Sequence, residues 1–72
     1  MSQNEVVVGK CLLEDLLRKR KMSKTDLATK TGIDKAQISK YISKDRAMSL
    51  ATARVISRAL NCTIDELYEW NI

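Results

Sequence analysis

Leu12, Leu13, Leu16 and Leu17 recur at the three- and four-residue spacing that lines up apolar side chains on one helix face. That pattern predicts a first helix from residue 10, ending in the cationic run 18–21, where positive charge suits the negative end of the helix dipole. A second and a third helix are written into residues 23–42, SKTDLATKTGIDKAQISKYI. Ser23 with Asp26, and Asp34 with Gln37, have the spacing of a capping residue and its reciprocal partner three positions on. Gly32 stands between them, where a helix must stop in a left-handed conformation. Helix two (24–30) is expected to bury Leu27 and Ala28. Helix three (35–43) should bury Ile38, Ile42 and part of Tyr41, with Met22 as a hydrophobic staple against Leu27. After a basic loop at 44–48, Ser49 caps a fourth helix in which Leu50, Ala53, Ile56 and Leu60 mark one face and Asn61 ends it. Thr63 with Glu66 starts a short fifth helix, 64–70, packing Leu67 and Trp70. The β-branched run at 6–8 disfavours helix and ends at Gly9. The expectation is an all-α domain of five helices over residues 10–72, preceded by an N-terminal arm, 1–9.

Seventy-two residues allow one domain. Three aromatics, no Phe and no Pro imply an aliphatic core. A core of this size rarely supplies more than roughly 3–5 kcal/mol, which makes self-association a natural supplement. The formal charge of +4 is unevenly spread. Residues 18–46 carry ten Lys or Arg against three Asp, while residues 59–72 carry three acids and no base. Positive charge therefore surrounds helices two and three, the footprint of a polyanionic partner.

Two short helices joined by a glycine turn within a basic region describe a helix-turn-helix. With Ile38 turned to the core, a helical wheel places Ala36, Lys40 and Ser43 on the opposite side, flanked by Gln37, Ser39 and Lys44. Such a small, polar, basic face suits a DNA major groove. Lysine donates to guanine acceptors, glutamine pairs with adenine, and alanine approaches a thymine methyl. Lys35, in the first turn, projects where recognition helices meet base edges. Lys35, Ala36, Gln37 and Lys40 are thus the candidate base contacts. The candidate phosphate contacts are Lys24 and Thr25 at the start of helix two, with Ser39, Ser43, Lys44 and Arg46 around helix three. Ser49 is a further phosphate candidate, and the 18–21 run is either another or a solvated helix end.

The segment SKTDLATKTGIDKAQISKYISKDRAMSLATARVISRALNCTIDELYEW resembles the phage-repressor (Xre, Cro/cI-type) helix-turn-helix family. Its marks are the polar cap, DLA, the turn glycine, an isoleucine in the third helix and the closing ISRALNCTIDEL. The resemblance implies a five-helix lambda-repressor-like domain, dimeric binding to double-stranded operators with inverted half-sites, and regulation of transcription, most often repression. It places base reading on Lys35, Ala36, Gln37 and Lys40, and a phosphate contact on Lys24. Family members commonly carry glycine just after the recognition helix, whereas this chain has Ser43-Lys44-Asp45. The other function class open to such a fold is a protein-interaction module: an antitoxin, co-regulator or inhibitor. Self-association would then use the valines at 6–8, as an added edge strand, or residues 70–72.

Other classes find little support. Cys11 and Cys62 have no His to join them, so no metal or cofactor is expected and both thiols read as small hydrophobes in a reducing cytoplasm. No membrane span or signal peptide is expected, and the protein is expected to be cytoplasmic. Glu14-Asp15 and Asp65-Glu66 are sequence neighbours about 100° apart on a helix and do not converge. An enzyme is not expected.

Overall fold

The computed structural model describes residues 8–70. In chain order the elements are β1 (Val8–Cys11), α1 (Leu13–Lys19), α2 (Lys24–Thr31), α3 (Lys35–Ser43), α4 (Leu50–Ala59), a 3-10 turn at Ile64–Leu67 and β2 (Tyr68–Trp70). The helix-turn-helix is formed by α2 and α3.

Helix starts follow the local chemistry. Ser23 Oγ accepts from the Asp26 N–H, and the Asp26 carboxylate accepts from the Ser23 N–H, both at 3.0 Å. The reciprocal bonds hold the Asp26 carboxyl below its ordinary range. Ser49 caps α4 by accepting from the Thr52 N–H at 3.1 Å. Glu66 accepts from the N–H and hydroxyl of Thr63 at 2.8 and 3.2 Å, which lowers its own carboxyl. Asp34 caps α3 with a single longer bond from the Ala36 N–H. No return bond to Gln37 closes a capping box at this helix; the Gln37 Nε2 donates to Tyr41 instead.

Four helix ends turn through left-handed residues: Lys21, Gly32, Lys44 and Asn61, at φ 54, 78, 65 and 55°. At Lys21, the Lys21 and Met22 N–H groups donate to Arg18 O and Leu17 O, closing the carbonyls of α1. Asn61 and Cys62 repeat this over α4, donating to Arg58 O and Ser57 O. Lys44 supplies the turn where relatives of the resembling family place glycine, so the loop forms without it.

The structure departs from the all-α expectation at both ends. β1 and β2 pair antiparallel, with Val8 opposite Trp70 and Cys11 opposite Tyr68. Three steps along β1 match two along β2, so the pair carries a bulge. Gly9 lies there: a Cβ on it would stand 3.1 Å from Glu69 Cβ and 3.2 Å from Glu69 O. Leu12 N–H donates to Leu67 O at 2.8 Å, a carbonyl that a continuing helix would have claimed. The expected fifth helix over 64–70 is therefore one 3-10 turn followed by a strand, and α1 begins at Leu13, not residue 10. β1 also runs across the boundary expected between arm and domain at residue 9. Of the valine run, Val8 is in an intrachain strand, while Val6 and Val7 lie outside the described residues.

The core is formed by Cys11, Leu13, Leu16, Leu17, Leu27, Ile38, Tyr41, Ala53, Ile56, Leu60 and Leu67. Met22, Ala28, Ile42 and Cys62 pack against it from half-buried positions. α2 packs on both α3 and α4. Two residues of α4 break the expected pattern. Leu50 faces outward at 77% exposure, and Ser57 is fully buried with its hydroxyl donating to Arg54 O at 2.9 Å. No buried side-chain polar atom lacks a partner among the described residues.

Candidate nucleic-acid interface

Nine residues give α3 a length of about 13 Å, and a helix of about 10–12 Å diameter is what a major groove admits. Ile38 is at zero exposure and Tyr41 is buried, which roots one face of α3 in the core. Lys35, Ala36 and Lys40 are exposed on the other face, as the periodicity requires. Lys24, Lys35 and Lys40 make no ion pair among the described residues; Lys35 and Lys40 are exposed and Lys24 is half-buried.

Gln37 is the exception on that face. It is half-buried, and its Nε2 donates to the Tyr41 hydroxyl one turn along at 3.3 Å. Sequence reasoning gives Gln37 two expected roles, reciprocal cap of Asp34 and base contact, and neither includes a bond to Tyr41. The i, i+4 spacing to Tyr41 was the available signal for the bond actually made.

The phosphate candidates fall into two groups. Lys24 and Thr25 open α2, and because the Ser23 hydroxyl is taken by Asp26, their own N–H groups have no intrahelical acceptor. Around the end of α3, Ser39 is half-buried and Ser43, Lys44 and Arg46 are exposed. Ser43 Oγ donates to Lys40 O at 3.2 Å, and the Arg46 N–H reaches the same carbonyl at 3.3 Å. Lys44 Nζ donates to Gly9 O at 2.8 Å, tying the end of α3 to β1. Ser49 is used as a cap.

The 18–21 run is structural in part. Arg18 pairs with Asp15 at 3.0 Å. Arg20 donates from Nε to Leu60 O at 2.7 Å and from Nη2 to Asn61 O at 3.3 Å, so it closes the end of α4 from forty residues away. Both cysteines are free thiols, and burial raises both above the ordinary range. No group of residues able to hold a metal ion occurs among the described residues, and no described helix is long and apolar enough to cross a membrane.

A capped α2, a left-handed glycine and an α3 with one buried and one basic face define a helix-turn-helix DNA-binding domain. Comparison with known proteins agrees. Residues 13–71 match the model of the Cro/C1-type HTH DNA-binding domain. The chain is 38% identical over 69 residues to the SPbeta prophage-derived HTH-type transcriptional regulator YopS of Bacillus subtilis, covering 94% of this chain and 93% of the relative. It is 35% identical over 60 residues to YotL, another SPbeta prophage-derived HTH-type regulator of the same organism, covering 82% of this chain and 75% of the relative. Among solved structures, the transcriptional regulator VanUg superposes with a TM-score of 0.71 at 27% identity, over 99% of this chain and 93% of that one. The chain belongs to the Cro/C1-type helix-turn-helix family, and it is a DNA-binding transcriptional regulator of prophage type.

Proposed function

We propose that the protein is a sequence-specific repressor that binds inverted half-sites as a homodimer, with α3 in the major groove. Lys35, Ala36, Gln37 and Lys40 face the base edges, and Lys24, Thr25, Ser39, Ser43, Lys44 and Arg46 hold the flanking phosphates. The observation that carries this reading is the two-sidedness of α3: Ile38 fully buried, Ala36 and Lys40 open to solvent, and Lys40 cationic. Phosphate contacts set register and most of the affinity, whereas the four outward side chains discriminate between sequences. The role is occupancy of a site, and no catalytic step is assigned.

The homodimer is supported by the small core and by exposed apolar surface. Leu50 and Trp70 border a groove of about 390 Å³ whose apolar lining includes Met48, Ala53, Ile64 and Tyr68. That apolar lining is the surface a second copy would cover. Two copies related by a two-fold axis would present their helices to half-sites about 10 bp apart.

Selection of bound duplexes from a random pool tests this reading. It should enrich an inverted repeat whose affinity falls steeply with salt, with a slope of about −0.9 per phosphate neutralised. Failure to enrich any motif, or binding indifferent to salt, would overturn it. Under the interaction-module alternative, the protein captures a protein partner while duplexes bind weakly and without preference.

A further inference from the structure

We propose that the Tyr41 hydroxyl is a positioning group for DNA reading: it orients the Gln37 carboxamide for a bidentate pair with adenine. The inference rests on α3 being the base-contacting helix and assigns the chemistry of one of its contacts.

Three observations converge on this pair. Of the four outward candidates, Lys35, Ala36 and Lys40 are exposed and only Gln37 is half-buried. Its Nε2 donates to Tyr41 Oη at 3.3 Å. The Tyr41 ring is 6% exposed and belongs to the core cluster with Ile38 and Leu27, so its hydroxyl is held by packing and is a fixed point on the rim of the binding face.

A glutamine carboxamide has two N–H donors and one carbonyl acceptor. One N–H of Gln37 is turned to Tyr41. The remaining N–H and the oxygen are left to form a donor–acceptor edge, the pattern that matches N7 and N6 of adenine in the major groove. A free glutamine must lose side-chain freedom on binding. Tyr41 restrains that freedom before DNA arrives, which is preorganisation of a reading group. Discrimination at one base pair follows from a residue that itself touches no DNA.

The test compares wild type, Gln37→Ala, Tyr41→Phe and the double variant of the full chain on the selected duplex and on its single-base changes. Gln37→Ala identifies the base pair that this residue reads. Tyr41→Phe keeps the ring, and is expected to reduce discrimination at that pair about three- to tenfold. Random-duplex affinity and salt slope should stay unchanged, and Tyr41→Phe should have no further effect in the Gln37→Ala background. In the free protein, the Gln37 carboxamide should be ordered by NMR relaxation in wild type and mobile in Tyr41→Phe. Full discrimination retained in Tyr41→Phe, an equal loss on every duplex, or the same loss without Gln37 would overturn the proposal and leave DNA binding intact. A Gln37 carboxamide that is mobile in wild type overturns it even where the variant fails to fold. A wild-type protein that enriches no motif overturns both this inference and the reading beneath it.

Discussion

Replacing Ile38 with valine tests the arrangement on which the interface depends. Ile38 has no solvent exposure and lies on the face of α3 opposite Ala36 and Lys40. Removing one buried methylene forfeits about 0.8 kcal/mol of transfer free energy. Incomplete closure of the gap raises the total to about 0.5–1.5 kcal/mol, and we expect about 1 kcal/mol. A core of this size rarely provides more than roughly 3–5 kcal/mol, so a loss of about 1 kcal/mol is a readable fraction of the total. In urea the midpoint should fall with an unchanged slope, and the melting temperature should drop by about 4–8 °C. Lys40→Ala on the opposite face should leave stability within about 0.5 kcal/mol. Below its transition, the valine variant should bind DNA as wild type does, because the outward face is untouched. An unchanged midpoint for Ile38→Val together with a comparable fall for Lys40→Ala would mean that α3 is turned the other way, and the interface would fall with it.

Further outcomes follow from the same geometry. Lys40→Ala should relax sequence preference at one position by about 1–3 kcal/mol, while Lys24→Ala should weaken all duplexes alike and shrink the salt slope by about one unit per protomer; equal effects in a titration series would refute the division of roles. Gly32→Ala forces a side chain into φ 78° and should cost about 1–2 kcal/mol, whereas Lys21→Gly relieves the same strain and should raise stability by about 0.5–1 kcal/mol, both read from urea midpoints. The carboxyls of Asp26 and Glu66 titrate lower in the folded chain than in the unfolded one, so the stability they lend is complete above their unfolded values and drains away as pH falls below about 4. Melting temperatures of an Asp26→Asn, Glu66→Gln double variant should therefore depend less on pH in that acid range than those of wild type. Arg20→Ala removes two donors from the end of α4 and should destabilise by about 1–2 kcal/mol in chemical denaturation while DNA affinity below the transition stays the same.

What could be read from residue order alone was local. The bounds of α3, the caps at Ser23, Asp34 and Ser49, and the turns at Gly32 and Asn61 rest on bonds spanning a few residues, so the chemistry that makes them is adjacent in the chain. The outward direction of Ala36 and Lys40 followed from periodicity once Ile38 was assigned to the core. The charge around α2 and α3 is likewise a property of composition.

Other features depend on neighbours remote in the chain. The strand at Tyr68–Trp70 exists because Val8–Cys11 lies beside it to pair with its backbone, and the same capped residues 64–67 without that partner read as the start of a helix. Leu50 is apolar yet exposed and Ser57 polar yet buried, because packing of α4 against the rest of the domain, not residue type, decides which side is covered. Arg20 reads as one more cation near DNA until the end of α4 is folded against it. Gln37 reads as a cap until the core holds Tyr41 in place beside it. Short-range hydrogen bonding chose the helices and their ends; burial and strand pairing, which join distant residues, chose which side chains remain available to a partner.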